Sequence, residues 1–176
     1  MPKTYTNIGT FTAGQTLTAA SMNEIGDTLD NHTVPPLVKA TQSSGQSINS
    51  GSFTVLTFDA ETLDTDDMHS TTTNNSRVTF QTTGIYLVIA QVSFTSSIGT
   101  GQAVLRIPIS GGSTYVALAE MTPTAGGTGM NCAGYFDCTA AGTDYVQAEV
   151  LQQAGSARTT NTSFTWLSAA FVGKKA

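Results

Sequence analysis

The sequence predicts an all-β fold, a jelly-roll sandwich preceded by a short N-terminal arm that contains one helix. Three observations lead there. Apolar residues recur at alternate positions in many short segments. Gly- and Ser-rich breaks separate those segments at regular spacing. No helix-period stretch interrupts them once the chain has passed residue 39.

The chain has 176 residues, enough for one domain with its own core plus an extension. Charged residues make up 11%, against roughly 25% in a typical soluble domain. Thr is the commonest residue and Ser and Gly are abundant, so the surface stays soluble through neutral hydroxyls, which suits strands. Lys and Arg together number seven and the net charge is −5. A nucleic-acid surface needs several cations, each displacing a phosphate counterion, so nucleic acid is not an expected partner. No apolar run approaches the roughly 20 residues that span a bilayer, and Met1 to Thr18 lacks the basic start and apolar core of a secretion leader. A membrane is not an expected partner either.

Residues 1–39 read as the arm. Tyr5, Ile8 and Phe11 punctuate an extended Thr/Gly-rich segment. Thr18 is a candidate N-cap, and Met22, Ile25 and Leu29 then fall at i, i+3 and i+7, one narrow apolar stripe. Val34-Pro35-Pro36 ends the helix and begins a stiff connector. A helix of about 12 residues is marginal in water, and Gly26 inside it costs about 1 kcal/mol more. Its stripe therefore needs a partner, and Met22, Ile25 and Leu29 are the candidate docking residues.

Residues 40–176 read as the head. Phe53, Val55, Leu56 and Phe58 open it, and Val78 and Phe80 follow. Tyr86, Val88, Ala90, Val92 and Phe94 alternate strictly, while Leu87 and Ile89 make the opposite face partly apolar. Further alternating sets are Leu105, Ile107 and Ile109; Val116 and Leu118; Met130, Cys132, Gly134, Phe136 and Cys138; Val146, Ala148 and Val150; and Phe164, Trp166, Ser168, Ala170 and Val172. The breaks include Gly99-Thr100-Gly101, Ser110 to Ser113, Gly126-Gly127 and Ala141-Gly142. Cys132 and Cys138 share a face but stand roughly 20 Å apart along a straight strand, too far for a disulfide, so both are expected as free, buried thiols. A monomeric sandwich keeps its outer faces polar. The apolar residues Leu87, Ile89, Tyr145 and Leu151 are therefore the candidate subunit-interface residues.

Phe80, Gly84 and Tyr86 within Arg77 to Phe94 resemble the signature of the globular head of complement component one-q, a TNF-like jelly roll. Gly142-Thr143-Asp144-Tyr145-Val146 is similar to that family's Gly-Asp-x-Val strand start, with Thr143 inserted, and Ser163-Phe164 is similar to its final strand. Phe58 to Ser70 resembles a stretch that recurs in bacteriophage virion proteins carrying such heads, and Thr12 to Asn23 resembles the start of many phage structural proteins. The resemblance implies a homotrimer located in the virion. It would be a capsid decoration or head-fibre protein attached through its arm to the major capsid protein or another virion protein. The alternative is a tail-fibre or tail-tip protein that binds a host surface glycan.

Chemistry-bearing groups are sparse. Asp64, Asp66 and Asp67 with His69 form the densest acidic cluster, but the spacing lacks the Gly of an EF-hand loop, and a hydrated, hydrogen-bonded loop is expected rather than a Ca²⁺ site. The histidines are His32 and His69 alone, and no G-x-S-x-G elbow is present. Glu120, Glu149 and Asp137 are the carboxylates from which a glycosidase pair could be drawn, though isolated strand carboxylates are more often solvated or paired. Tyr115, Tyr135, Tyr145 and Trp166 could stack on sugars, with core or interface packing the plainer role. The reading is of a non-enzymatic protein without cofactor or metal.

Overall fold

A computed structural model describes residues 12–122 and 129–175. The arm forms helix α1 (Ala19–Thr33). Its start follows from local chemistry: the Thr18 hydroxyl accepts a hydrogen bond from the Ser21 N–H at 3.2 Å, satisfying one of the donors that a helix start leaves open. Its end follows from Pro35, which biases Val34 away from helical backbone. The expected extended segment around Tyr5, Ile8 and Phe11 and the break at Gly126-Gly127 lie outside the described residues. No described helix is long and apolar enough to cross a membrane.

The strands are β1 (Leu37–Thr41), β2 (Ser47–Ile48), β3 (Thr54–Val55), β4 (Ala60–Asp64), β5 (Arg77–Thr79), β6 (Gly84–Ser93), β7 (Ala103–Pro108), β8 (Tyr115–Met121), β9 (Gly129–Cys138), β10 (Tyr145–Gln147), β11 (Glu149–Gln152), β12 (Arg158–Thr159) and β13 (Trp166–Gly173). A five-stranded sheet runs β4-β1-β13-β6-β9 and faces a four-stranded sheet β3-β11-β7-β8, with two-stranded ribbons β10-β5 and β12-β2 beside them. These ladders are antiparallel. This is the jelly-roll sandwich that the alternating segments predict.

β1 straddles the division expected after residue 39. It pairs with both β13 and β4 and buries Val38 and Ala40. The head holds the chain even earlier. The Phe171 N–H donates to the Pro36 carbonyl at 2.9 Å. The Thr65 hydroxyl donates to the Pro35 carbonyl at 2.7 Å and accepts from the Leu37 N–H at 2.8 Å. A Pro-Pro pair lacks two donors but keeps both acceptors, so it reads as a connector while serving as a sheet margin.

The core lies between the two sheets. β6 supplies Tyr86, Val88, Ala90 and Val92, all fully buried, as its alternation requires. Opposite them, Leu105 and Ile107 of β7 and Val150 of β11 are also fully buried. In β9 Met130, Cys132, Phe136 and Cys138 point inward. Both cysteines are free, and burial pushes each thiol up to about 11. The last strand is in the opposite phase from its apolar series: Leu167 and Ala169 are buried, Trp166, Ser168 and Ala170 are half-exposed, and Val172 is exposed. Phe164 is not in a strand at all but in a 3₁₀ turn, Thr162–Phe164. Both series of β13 are apolar enough to be core, so composition alone does not choose between them. Likewise Leu118 is exposed, while Val116, Ala117 and Ala119 pack against the core. Phe53 is exposed where Leu56 and Phe58 are buried.

The signature residues form an aromatic cluster at one end of the core. The Phe80 ring lies 4.4 Å from Tyr86 and 4.8 Å from Phe136, and Tyr86 lies 5.3 Å edge-on from Phe171, centroid to centroid. The Tyr86 hydroxyl donates to the Thr82 carbonyl at 2.8 Å, so its one polar atom is satisfied inside the core. Gly84 has φ +146°, and a Cβ there would sit 2.4 Å from the Phe171 ring. Asp144 accepts from the Thr139 and Ala140 N–H groups, both at 2.8 Å, and closes the turn before β10.

Neutral side chains do much of the joining between loops. Gln42 donates to the Thr57 carbonyl at 2.9 Å and accepts from the buried Thr160 hydroxyl at 2.6 Å. Gln46 donates to the Val55 carbonyl at 2.9 Å and accepts from the Thr57 N–H at 3.0 Å. The fully buried Gln152 amide bridges the Ile48 and Ser156 carbonyls at 3.0 and 2.9 Å. All but the Gln42–Thr160 bond satisfy a backbone group at the ends of the short strands.

Where the sheets close on each other, β9 meets β8, and Gly134 interrupts the inward series because a Cβ there would lie 2.4 Å from the Val116 carbonyl oxygen. Backbone oxygen cannot swing aside as a side chain can. Gly134→Ala is expected to destabilise the head by about 1–3 kcal/mol through overpacking, more than the ~0.4–1 kcal/mol that Gly→Ala returns by stiffening the unfolded chain. A thermal melt reads this as a drop of several degrees; an unchanged midpoint would contradict the close approach of β8 and β9.

Candidate functional site

The outer face of the five-stranded sheet is built from the half of each strand that the core does not use. Register places three rows across it: Leu37, Ala170, Leu87 and Tyr135; Lys39, Ser168, Ile89 and Ala133; Thr41, Trp166, Gln91 and Asn131. The first row is apolar, and the second places Ile89 and Ala133 beside Ser168 and Lys39. Tyr135 is 69% exposed, and Leu63, paired with Lys39 on β4, is 43% exposed. The Lys39 ammonium lies 5.0 Å from the centre of the Trp166 ring. Contiguous apolar side chains on one sheet face make this the candidate interaction surface.

Of the four candidate interface residues, Leu87 and Ile89 lie on this face and Tyr145 and Leu151 do not. Leu151 is on β11 of the opposite sheet, paired with Val104. Tyr145 is on β10, paired with Thr79, and the Arg77 guanidinium covers its ring at 4.2 Å. Alternation gives the face parity of a strand but not the sheet it joins, so the four could not be grouped from sequence. Tyr135 and Trp166, considered there for stacking, belong to the face that carries Leu87 and Ile89.

The opposite sheet's outer face carries a closed polar cluster. Arg106 donates to Glu149 through Nε at 2.7 Å and to the Tyr115 hydroxyl at 2.8 Å, and its guanidinium lies 3.6 Å from the Phe53 ring centre. The three carboxylates from which a glycosidase pair could be drawn are thus each engaged elsewhere: Glu149 with Arg106, Glu120 with Gln102, and Asp137, on the other sheet, with Lys175. Asp137 stands apart from Glu120 and Glu149, which share the four-stranded sheet.

The acidic loop is hydrogen-bonded as expected, with Asp67 exposed but Asp66 and Met68 turned into the protein. Asp64 accepts from the Asp66, Met68 and His69 N–H groups at 3.2, 3.0 and 2.8 Å. Asp66 is 2% exposed and accepts from the Thr82 hydroxyl at 2.8 Å, and Met68 is buried beside it. The His69 ring is fully covered, with Nδ1 3.0 Å from Glu61 and Nε2 3.3 Å from the Asn75 carbonyl. The loop is a plug in the core wall. Among the described residues no three His, Cys, Asp or Glu side chains converge as a metal site. The second histidine, His32, is in α1, and its side chain lies outside the described residues.

The arm's stripe is open. Met22 is 53% and Leu29 57% exposed, Ile25 is half-buried, and Leu17 and Val34 at either end of the helix are exposed as well.

No family model and no curated protein matches the chain. Solved structures do. The chain is similar to murine APRIL at pH 5.0, with a TM-score of 0.56 and 14% identity over 78% of this chain and 98% of that one. It is similar to the globular domain of zebrafish complement 1qA protein, with a TM-score of 0.54 and 14% identity over 80% and 98%. Eiger TNF from S. frugiperda follows with a TM-score of 0.50 and 14% identity over 80% and 96%. The head therefore has the TNF-like jelly-roll fold.

The buried acid gives the loop a measurable role. Asp66→Ala is expected to cost about 1–3 kcal/mol by removing the buried carboxylate to which the Thr82 hydroxyl donates, whereas Asp66→Asn, which keeps an acceptor oxygen, costs less. Added Ca²⁺ is expected to leave the wild-type melting temperature unchanged. A Ca²⁺-dependent rise that Asp66→Ala abolishes would show a cation site instead of a plug.

Proposed function

We propose that the protein is a homotrimeric structural component of a bacteriophage virion, a capsid decoration or head-fibre protein. Its head assembles through the apolar rows of Leu87 and Ile89 on the outer face of the five-stranded sheet, and its arm attaches it to the major capsid protein or another virion protein. The observation that carries the reading is the open stripe of α1: Met22 and Leu29 are exposed on a helix that has no core of its own. The resemblance of Thr12 to Asn23 and of Phe58 to Ser70 to phage structural proteins supports the location, and the TNF-like fold supports the trimer. The mechanism needs no chemistry. It is burial of apolar surface, first between heads and then between arms and particle.

The energetics favour several arms acting together. Met22, Ile25 and Leu29 would each contribute about 1.5–3 kcal/mol if fully buried, while ordering the backbone costs about 1–2 kcal/mol per residue, so one arm binds weakly. Three arms on one trimer bind in concert through effective concentration.

Because Pro35 and Pro36 are tied to the head, the cut that separates arm from head falls before them. Deleting residues 1–33 is expected to leave the melting temperature of the head within a few degrees of the full chain and to abolish co-sedimentation with virions assembled without the protein. A truncated head that fails to fold, or that still binds virions normally, would contradict the division of labour.

A further inference from the structure

At the third row of the outer face, a shallow cleft of about 260 Å³ is lined by Gln91, Ser93, Gly129, Met130, Asn131 and Phe164. Three remote segments build it. Gln91 and Asn131 are cross-strand partners on β6 and β9, and both face outward, since their neighbours Ala90 and Cys132 are buried. Phe164 comes from the 3₁₀ turn, which Asn161 holds by accepting from the Ser163 N–H at 3.0 Å. Phe164 is 56% exposed beside the cleft. Among the described residues, no hydrogen bond within the chain engages the side-chain amides of Gln91 or Asn131.

The lining selects a ligand class. It holds no Lys, Arg, Asp or Glu, so an ion finds no opposite charge there. A wholly apolar ligand would strip water from two amides and return no hydrogen bond. Two adjacent amides offer donors and acceptors side by side, and an exposed aromatic ring offers an apolar platform. A pyranose has both complements, with C–H groups on one ring face and hydroxyls around its edge. The geometry points to a neutral-sugar subsite in which one hexose ring stacks on Phe164 and pairs its hydroxyls with Gln91 and Asn131. The cleft is smaller than the ~300–1,000 Å³ of sites that enclose drug-sized ligands, so each subsite takes one ring and binds it weakly. Copies brought together in one assembly multiply that affinity through effective concentration. Gln91 is four residues from Leu87 along β6, roughly 13 Å at about 3.3 Å per residue, which sets the cleft at the rim of the apolar rows.

Saturation-transfer NMR on the intact protein, with glucose, galactose and N-acetylglucosamine each at millimolar concentration, tests this. Saturation is expected on the ring protons of at least one of the three sugars. Phe164→Ala and Asn131→Ala, both at exposed positions, are expected to weaken binding of that sugar by about tenfold or more, as loss of one stacking or hydrogen-bonding partner implies. Phe164→Tyr, which keeps the platform, is expected to retain binding. No transfer to any of the three sugars would overturn the inference, whether the cleft lacks affinity or a neighbouring copy covers it. Transfer that persists at full strength in both alanine variants would overturn it as well.

Discussion

Strand β6 lies inside the five-stranded sheet with apolar side chains on both of its faces, and each face sets a separate demand. The inner face, Tyr86, Val88, Ala90 and Val92, is met within the chain by the opposite sheet, which leaves all four fully buried. The outer face, Leu87 and Ile89, is only half-covered, and its register neighbours Ala170, Tyr135 and Ala133 extend the same apolar character across three strands. An antiparallel sheet with one solvated side alternates apolar and polar residues. This one departs from that rule at its interior strands, where Leu87 and Ile89 are only half-buried among the described residues. The described head therefore completes its core alone and leaves a half-covered apolar face outside it.

The way the head is closed fits its low charge. Loops are fastened by Gln42, Gln46, Gln152, Thr65 and Thr160, all neutral, and the acidic turn residues Asp64 and Asp144 spend their oxygens on backbone N–H groups. Hydrogen bonds of this kind lose little to salt, whereas exposed ion pairs are screened by it. A sandwich held in this way keeps its shape where a salt-bridge network would weaken.

Much of the fold was legible because local rules fixed it. Strict alternation in β6 and β9 gave the inward series, including both free cysteines, and Thr18 and Pro35 marked the ends of α1. Features that depend on pairings between remote segments were not legible. Leu87 and Tyr145 look alike in sequence, yet they stand on different sheets because β6 pairs with β13 and β10 pairs with β5. β13 has two apolar series, and only its place opposite β6 decides that Leu167 and Ala169 face the core. Asp66 reads as a solvated acid until Thr82 is brought to it. The cleft at Gln91, Asn131 and Phe164 has almost no local signal. An exposed Phe beside a strand is the one hint, and its meaning appears only when β6, β9 and the 3₁₀ turn are side by side.

The outer face is the point on which the account turns, and its cover is a matter of mass. Light scattering on the purified full-length chain at micromolar concentration, in moderate salt, reports it directly. The expected result is a single species of three times the 18.3 kDa chain mass. A species of 18.3 kDa that persists as concentration rises would mean that Leu87, Ile89 and Tyr135 face water in the native protein, and would contradict the account.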